Sequence, residues 1–415
     1  MKIVVVGGGA AGFFGAIACA EACPQAQVTL LEAGKTLLAK VRISGGGRCN
    51  VTHSCFDPAA LVQHYPRGGK ALRGAFSRFQ PQDTVAWYAR HQVKLKTEAD
   101  GRMFPVTDDS DTVVQCLLQT ARRLGIEILT GAAVSSVVKQ ARGFRVTMVS
   151  GRERRCDRIL LATGSSPQGW RIARSLGHKI ISPVPSLFTF KIRDSRLENL
   201  AGVSVNPVHV RLKTADENGK VSTLEQMGPL LVTHWGVSGP AVLKLSAWGA
   251  RALHTAQYRG QLLVNWLPYT SMEQVREILQ TAKGEMARRA ISTYNPVQIP
   301  QRLWQRLVDA AAVPAEKRWA DLSKKELNHL TAHLTQDSYS IQGKGVFKDE
   351  FVTCGGVALK EVNFKTLESR CCPGLFFAGE VLDIDGITGG FNFQSAWTTA
   401  WLAGQAMGQR LSEDD

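Results

Sequence analysis

The pattern of hydrophobic and polar positions predicts alternating strands and helices over roughly the first 180 residues. The all-apolar run Ile3–Val6 predicts a buried strand, and a helix-like run follows from Phe13 to Glu21. A second apolar run covers Val28–Leu31. Apolar residues then recur at helical spacing between Asp111 and Leu124. This order predicts an α/β fold.

The next segments predict a short meander and then another buried strand. Ile126–Leu129 is a predicted strand, and the apolar residues of Val134–Val138 and Gly143–Val149 alternate as in a meander. The run Arg158–Leu161 is apolar after its first residue, and it leads into Thr163-Gly164. We expect this strand to be buried within the sheet.

Beyond residue 180 the pattern predicts an insertion into a discontinuous domain. Pro183 and Pro185 mark a boundary, and short segments with turn residues then predict a β-rich module, with a hairpin turn at Asp216–Gly219. Ser271 and Ser323 each begin a helical pattern. The predicted division is residues 1–186 and 352–415 for the first domain, 187–270 and 337–351 for the β-rich insert, and 271–336 for a helical subdomain. A helix is also predicted from Gln394 to Leu411.

Length and composition are those of a globular protein with two or three domains. The chain has 415 residues, of which 44% are hydrophobic and 20% charged. Its apolar runs are all shorter than the roughly 20 residues of a membrane span, and its first strand leaves little room for a leader peptide. The nine cysteines include no C-x-x-C, and Cys371 and Cys372 are adjacent. We expect a cytoplasmic protein with no metal site.

The net charge of +15 narrows the expected class of substrate, because few enzymes that act on small metabolites need so high a positive charge. The excess concentrates between residues 40 and 102, where eleven basic residues face four acidic ones: Lys40, Arg42, Arg48, Arg67, Lys70, Arg73, Arg78, Arg90, Lys94, Lys96 and Arg102 against Asp57, Asp83, Glu98 and Asp100. Such a surface suits a polyanion such as nucleic acid. The alternative is a solvated basic face with no partner.

A G-x-G-x-x-G motif follows the first strand and predicts a dinucleotide site. Gly7 permits the tight turn, Gly9 lets the backbone approach a pyrophosphate, and Gly12 lets helix and strand pack closely. Glu32 ends the second strand 20 residues after Gly12 and can accept both ribose hydroxyls. The alternative is a glycine-rich turn without a ligand.

Two further glycine-rich segments have the composition of ligand sites. The segment Lys40–Asn50 contains three consecutive glycines, which let the backbone lie against a flat or phosphorylated ligand, and Cys49 is its only thiol. We expect Arg48 to favour the Cys49 thiolate. The segment Gly374–Gln394 predicts a strand, then Gly-Glu, an acid and a glycine-rich turn before the last helix. The alternatives are a flexible loop at 45–47, a packing role for Cys49 and a cap at Asp383.

With these segments the chain resembles flavoproteins of the BaiN/RdsA type, a branch of the two-dinucleotide-binding-domain FAD enzymes. The similarity covers essentially the whole chain, and its motifs are GGGAAG (7–12), SGGGRCN (44–50), LLATG (160–164), THWGVSGP (233–240), VTCGGV (352–357) and GLFFAGEVLDIDGITGGFNFQSAW (374–397). His53 stands where the family commonly has Asn, and Pro167 departs from its usual local pattern.

The resemblance implies a Rossmann-like FAD-binding domain of the glutathione-reductase type, interrupted by a β-rich module and a helical subdomain. It implies FAD, with NAD(P)H as a transient electron donor. Combined with the three segments, it predicts the following FAD contacts: Gly7, Gly9, Ala10, Ala11, Gly12, Glu32, Lys40, Ser44, Gly45, Gly46, Gly47, Arg48, Cys49, Asn50, Val134, Thr163, Gly164, Gly379, Glu380, Asp383, Gly390, Phe391 and Asn392.

Relatives in that family reduce carbon–carbon double bonds, either of ribosomal RNA uridine or of steroid-like bile acid intermediates, and an amine oxidase activity has also been attached to some. The high positive charge favours uridine reduction to dihydrouridine in 23S ribosomal RNA. We expect Cys49 to protonate uracil C5 while Arg48 and Asn392 polarise its O4 carbonyl. The alternatives are a small-molecule ene-reductase, an amine oxidase and a non-catalytic flavin-bearing RNA-binding protein.

Overall fold

The chain divides into two units in its structure, a computed structural model. Residues 1–184 and 351–415 form the first unit and residues 185–350 the second. The structure describes residues 1–215, 221–345 and 352–409. The predicted hairpin turn at Asp216–Gly219 therefore lies outside the described residues, and the boundaries predicted within the second unit stay predictions.

The N-terminal part of the first unit alternates strands and helices as the hydrophobic pattern predicts. Its strands are β1 (Lys2–Val6), β2 (Gln27–Leu31), β3 (Thr52–His53), β4 (Leu95–Thr97), β5 (Arg102–Pro105), β6 (Glu127–Leu129), β7 (Val134–Lys139), β8 (Phe144–Met148), β9 (Glu153–Cys156), β10 (Arg158–Leu161) and β11 (Ile180–Ser186). Its α-helices are α1 (Ala10–Ala22), α2 (Ala39–Gly47), α3 (Pro58–Leu61), α4 (Gly69–Phe76), α5 (Pro81–Arg90), α6 (Ser110–Arg123) and α7 (Pro167–Ser175).

The second unit follows, and the chain then returns to the first. The second unit contains β12 (Phe190–Lys191), β13 (Ser204–Ala215), β14 (Val221–Thr233), β15 (Gly236–Ser238), α8 (Pro240–Trp248), α9 (Ala250–Thr255), β16 (Gly260–Asn265), α10 (Met272–Glu285), α11 (Gln301–Ala310), α12 (Lys324–Thr335), β17 (Asp337–Ile341) and β18 (Gly343–Lys344). The return contains β19 (Val352–Val357), β20 (Val362–Asn363), β21 (Glu368–Ser369), β22 (Leu375–Phe377) and α13 (Phe391–Gly408).

The main sheet of the first unit is the one that the apolar runs predict. Its order is β20-β21-β22-β10-β1-β2-β6, and the pairs from β22 to β6 are parallel. In β1 only Lys2 is exposed, because a strand covered on both faces needs apolar residues at successive positions. The predicted α/β class with a Rossmann-like domain is confirmed.

Helices α1 and α13 pack closely because both are rich in small residues. A Cβ at Gly404 would lie 2.6 Å from both the Ala18 Cβ and the Gly15 carbonyl oxygen. Larger side chains fill the remaining space, with the Phe14 ring centroid 4.7 Å from that of Trp87 and 5.2 Å from that of Trp397. These contacts fix α1 against α13 and α5.

The second unit contains one antiparallel sheet of seven strands and several helices. The strand order is β17-β16-β13-β14-β15-β12-β18. Ser271 and Ser323 each cap a helix through a capping box, as predicted. Buried charge concentrates at Asp337, whose carboxylate accepts hydrogen bonds from Arg196, His333, Trp266 and Tyr339.

Several elements differ from their predictions. The last helix begins at Phe391, three residues before the predicted start, because Gly390 provides the left-handed conformation (φ 92°) that precedes it. One of the short segments of the predicted β-rich module, Phe188–Ile192, forms a strand only at Phe190–Lys191. Helix α2 covers part of the glycine-rich segment Lys40–Asn50, for which no helix was predicted, and α4, α5 and α8 had no predicted counterpart either.

Candidate cofactor site

The glycines of the first motif serve two different purposes. A Cβ at Gly7 (φ 113°) would lie 2.3 Å from the Ala162 carbonyl oxygen, and a Cβ at Gly12 would lie 1.8 Å from the Gly7 carbonyl oxygen. These two positions need glycine for the protein's own packing. A Cβ at Gly9 would meet no atom within 4 Å, so the space beside Gly9 is open.

The N-terminus of α1 faces this open space without a capping side chain. Its N–H groups carry partial positive charge, and phosphate oxygens are the acceptors that satisfy such groups best. The combination of an uncapped 13-residue helix and an open cradle at Gly9 fits a pyrophosphate. Ala10 and Ala11 supply the first N–H groups of this helix.

Glu32 lies at the end of β2 and holds the loop around the motif. Its carboxylate accepts the Gly8 N–H at 2.6 Å and the Gly34 N–H at 2.7 Å, one on each oxygen. A carboxylate has about four lone-pair directions, so each oxygen can still accept a ribose hydroxyl. Val134, buried at the start of β7, follows the loop whose residue Ala132 donates its N–H to the Glu32 carbonyl oxygen at 2.8 Å.

The second glycine segment forms the irregular end of α2. The helix breaks at Ser44 (ψ 150°), and Gly45, Gly46 and Gly47 all have positive φ. Cβ atoms at Gly46 and Gly47 would meet nothing within 4 Å, which leaves exposed backbone for a flat ligand. The Ser44 hydroxyl donates to the Val41 carbonyl oxygen at 2.9 Å and fixes the break.

The surroundings of Cys49 oppose the thiolate that Arg48 was expected to favour. Its side chain is fully buried, and this burial raises the pKa of the thiol to about 12. Arg48 points elsewhere: its guanidinium lies 2.7 Å from Glu98, 3.5 Å from Asp108 and 4.0 Å from the centre of the Phe104 ring. Arg48 therefore does not favour a Cys49 thiolate as expected, and the roles predicted for both side chains toward a substrate stay predictions.

The third segment joins the second through the Glu380 side chain in the loop after β22. Glu380 accepts the Thr353 N–H at 2.9 Å and pairs with Lys40 at 2.6 Å, and Lys40 also donates to the Ser165 hydroxyl at 3.1 Å. Thr399 of α13 accepts the Gly379 N–H at 2.9 Å. These bonds gather Lys40, Glu380 and Gly379 at the C-terminal edge of the parallel strands, where open α/β sheets bind ligands.

The N-terminus of α13 is also held by predicted residues. In its hydrogen-bonded orientation, the Asn50 amide donates to the Thr52 carbonyl oxygen and accepts the Gly390 N–H, both at 3.0 Å. The Asn392 side chain accepts the Gly386 N–H at 2.8 Å and donates to the Gly386 carbonyl oxygen at 2.9 Å. Asn50 and Asn392 therefore shape the turn before α13, and Asn392 is a positioning residue in this structure.

Asp383, Thr163 and Gly164 complete the predicted set. The Asp383 N–H donates to the Val357 carbonyl oxygen at 3.1 Å. Gly164 (φ 58°) lies three residues after the end of β10. A Cβ at this position would lie 3.7 Å from a carboxylate oxygen of Glu380 and would meet no other atom within 4 Å. The Thr163 hydroxyl is buried and makes no hydrogen bond within the described residues, and it lies against Gly169 of α7.

Sequence reasoning missed an aromatic stack around Phe391. The buried Phe391 ring contacts two imidazoles, with centroid distances of 4.7 Å to His53 and 4.3 Å to His64, and the two imidazole centroids lie 6.0 Å apart. The Tyr65 hydroxyl donates to the Phe391 carbonyl oxygen at 2.6 Å. His53 was visible as a departure from the family's Asn, but His64 is distant in sequence and had no such signal.

Much of the basic segment between residues 40 and 102 is paired within the protein. Arg42 contacts Asp111 at 2.8 Å, Lys96 contacts Asp108, and Arg67 pairs with the buried Asp385. The unpaired excess is therefore smaller than the linear count suggests. Five exposed basic residues of the segment have no acid partner within residues 1–215, 221–345 and 352–409, and one of them, Arg78, donates to the Lys365 carbonyl oxygen. We call the other four the α4–α5 basic surface: Lys70, Arg73, Arg90 and Lys94.

Two further features bear on the site. Among residues 1–215, 221–345 and 352–409, no cluster of three or more His, Cys, Asp or Glu side chains has the arrangement of a metal centre. Within the same part of the chain, every helix is too short or too polar to span a membrane.

Comparisons with known proteins agree with this geometry. Residues 1–406 match the family described as HI0933-like protein Rossmann domain. The chain belongs to the HI0933-like family. Its fold matches a solved 3-ketosteroid-Δ4-(5α)-dehydrogenase from Rhodococcus jostii with a TM-score of 0.51 at 14% identity, over 99% of this chain and 97% of that one.

Two curated members of the family are equally similar to this chain. One is a 3-dehydro-bile acid Δ(4,6)-reductase from Clostridium scindens, 30% identical over 99% of each chain. The other is a ribosomal RNA dihydrouridine synthase from Escherichia coli, 30% identical over 97% of this chain and 96% of that one. The chain is thus an enzyme of a family of FAD-dependent oxidoreductases.

Proposed function

We propose that this enzyme reduces a uridine of ribosomal RNA to dihydrouridine, with FAD as its cofactor and NAD(P)H as the electron donor. Relatives at 30% identity carry two different substrate names, so similarity alone does not choose between them. The observation that carries the proposal is the net charge of +15, because a ribosomal RNA substrate is a polyanion. A steroid substrate needs no such charge.

In this proposal the three glycine segments hold FAD. The α1 N-terminus and the open space at Gly9 accommodate the pyrophosphate, and Glu32 accepts the ribose hydroxyls. The backbone of Gly46 and Gly47 lies along the flat ring system, with the α13 N-terminus at its pyrimidine end. When bound there, FAD supplies a two-electron reductant for a carbon–carbon double bond.

The α4–α5 basic surface provides the contact with RNA. Lys70 and Arg73 are three residues apart on α4 and therefore share a helix face, and Arg90 and Lys94 lie at and beyond the end of α5. Phosphate contacts of this kind position a nucleic acid but do not read its sequence. The target base leaves its stack to reach the site.

His64 is the proton donor that we propose in place of Cys49. Its half-buried imidazole stacks on Phe391, the first residue of α13, whereas the Cys49 thiol has no exposed surface. An imidazole exchanges protons readily near neutral pH. His53, which also contacts the Phe391 ring, is the second candidate, and its Nε2 lies 3.1 Å from the Asp100 carbonyl oxygen.

The test compares RNA reduction by the wild type and by a variant with Lys70→Gln and Arg73→Gln at several salt concentrations. Each lost phosphate contact lowers the slope of log affinity against log salt by about 0.7 to 0.9. Lys317→Gln is the matched control, because Lys317 already pairs with Glu326 at 2.8 Å. An unchanged slope in the double variant, or turnover that is indifferent to salt, contradicts the proposal.

The second candidate function is reduction of a small steroid-like enone. Its support is the bile acid reductase, which matches this chain over its whole length as well as the RNA enzyme does. This alternative predicts turnover of a conjugated steroid ketone at a rate that does not depend on salt. An unmodified 23S RNA fragment would then give no dihydrouridine.

A further inference from the structure

A second chemical cluster lies in the first unit at the other edge of the main sheet. Cys371 and Cys372 precede the N-terminal end of β22, whereas the glycine segments follow the C-terminal ends of the parallel strands. The cluster consists of Glu361, His178, Ser369 and Cys371. It shares no residue with the proposed cofactor site and does not depend on the proposed function.

His178 is the centre of the cluster. Its side chain is completely buried, and its Nε2 lies 3.0 Å from the Ser369 hydroxyl oxygen and 3.4 Å from the Cys371 sulfur. The other ring nitrogen, Nδ1, lies 3.4 Å from the Glu361 carboxylate. The same carboxylate oxygen accepts the Lys179 N–H at 2.8 Å, which fixes its position.

This arrangement selects one tautomer of His178. A carboxylate beside Nδ1 favours a proton on that nitrogen, so the Nε2 lone pair accepts the Ser369 hydroxyl at 3.0 Å. The Cys371 sulfur lies over the face of the ring, 3.4 Å from Nε2 and 3.8 Å from Nδ1, and 3.6 Å from the Ser369 hydroxyl oxygen. Burial lowers the pKa of His178 and outweighs the opposing effect of Glu361. Burial therefore favours the neutral imidazole, which can accept a proton from the thiol through the Ser369 hydroxyl.

Ser369 holds the cysteine pair in place. Its hydroxyl oxygen accepts the Cys371 N–H at 3.1 Å and the Cys372 N–H at 2.7 Å. The two thiols then differ in environment: Cys371 is exposed, whereas Cys372 is buried, and burial raises its pKa. Only Cys371 combines a neighbouring base with access from outside.

A cavity of about 480 Å³ adjoins the exposed thiol. Apolar side chains form much of its wall, and one ammonium group stands beside it. That group belongs to Lys139, which donates to the Pro373 carbonyl oxygen at 2.6 Å. The lining residues are Ser136, Val137, Val138, Lys139, Ser175, Leu176, Cys371, Cys372 and Pro373. A small molecule with a carboxylate and a reactive sulfur fits this cavity, because the carboxylate can pair with the Lys139 ammonium group while the sulfur meets the Cys371 thiol.

We propose that Cys371 is a thiol-exchange site for a small anionic disulfide of the glutathione type, with His178 as the base and Glu361 as the residue that positions it. The Cys371 proton moves to the Ser369 hydroxyl oxygen as the Ser369 hydroxyl proton moves to His178 Nε2, and the thiolate attacks one sulfur of the disulfide. A new S–S bond joins Cys371 to that sulfur while the S–S bond of the disulfide breaks. The departing thiolate takes the proton from His178, so one thiol is oxidised and one is released.

The test treats the full-length, FAD-loaded protein with glutathione disulfide at pH 7.4 and maps the modified cysteine by peptide mass spectrometry. Cys23 and Cys55 are internal controls, because both are partly exposed and neither contacts a histidine among the residues that the structure describes. We expect Cys371 to react at least about tenfold faster than either control. Equal rates at the three cysteines would overturn the proposal without any variant.

A variant tests the role of His178 directly. His178→Gln is expected to slow the reaction of Cys371 by about tenfold at pH 7.4 and to leave Cys55 unchanged. The loss should diminish as the pH rises, because hydroxide then replaces the missing base. A rate and pH profile equal to those of the wild type would overturn the role of His178. The Cys371→Ser variant is the control that identifies any modification signal from other thiols.

Discussion

The contrast between Gly9 and Gly12 gives the sharpest prediction about the cofactor site. In Gly9→Ala the new Cβ meets no protein atom within 4 Å, and φ −90° with ψ −169° is allowed for alanine. Alanine is a poorer N-cap than glycine, but it also restricts the unfolded chain, and the two effects are similar in size. We expect the free energy of unfolding of the FAD-free protein to change by less than about 0.5 kcal/mol.

The same methyl group occupies the space that we assign to the pyrophosphate. Loss of one hydrogen bond to a charged group costs about 1.5 to 3 kcal/mol, which corresponds to a dissociation constant about 10 to 150 times higher. Gly12→Ala behaves differently, because its Cβ would lie 1.8 Å from the Gly7 carbonyl oxygen and the backbone must shift. We expect that variant to lose about 1 to 3 kcal/mol of stability as well as FAD.

The assay combines urea unfolding of the FAD-free proteins with FAD titration followed by flavin fluorescence. Gly74→Ala is the matched control, since its Cβ also meets nothing within 4 Å but Gly74 lies inside α4, away from the glycine segments in sequence. That variant should bind FAD normally and gain up to about 1 kcal/mol of stability. Normal FAD affinity in Gly9→Ala would refute the assignment of the open space to the pyrophosphate.

Three other predictions concern single side chains. Asp337→Asn should lower the free energy of unfolding by about 3 to 5 kcal/mol in urea titrations, because it breaks a buried ion pair. The Lys317 ammonium lowers the pKa of Glu326 to about 2, so Glu326 stabilises the folded state above pH 4.5 and loses this effect as the pH falls toward 2. The stability difference between wild type and Glu326→Gln should shrink over that range. Cys49→Ala should retain RNA reduction within a few-fold, whereas His64→Asn should lose about 100-fold or more in steady-state assays.

Each of these predictions has a contradicting outcome. A neutral Asp337→Asn variant would mean that the donors around Asp337 find other partners. A constant difference between wild type and Glu326→Gln from pH 5 to 3 would contradict the lowered pKa. If Cys49→Ala and His64→Asn exchange their expected effects, the proton donor is the buried thiol after all.

The sequence was sufficient to predict the parallel sheet and the first glycine motif, because both depend on local patterns. The apolar runs of β1, β2 and β10 specify strands that are buried on both faces. The motif after β1 carries its own geometric requirements, and the Cβ distances at Gly7 and Gly12 show why glycine stands there.

Features that depend on distant contacts were not predictable in this way. Helix α4 contains Gly69 and Gly74, both poor helix formers, so its stability comes from packing rather than from propensity. The pairing of Arg67 with Asp385 joins residues 318 positions apart, and no count of charges within one segment finds it. The burial of Cys49 likewise follows from tertiary packing, which reverses the effect expected from its neighbour Arg48.

The most direct test of the central claim is one anaerobic experiment on the purified full-length protein. The FAD-loaded protein is reduced with NADPH and then mixed with an unmodified 23S RNA fragment, while flavin absorbance and the mass of the RNA nucleosides are followed together. We predict that the absorbance of oxidised flavin returns as one uridine gains two hydrogen atoms, and that both changes slow as salt rises. A flavin that stays reduced in the presence of RNA but is oxidised by a conjugated steroid ketone would contradict the account.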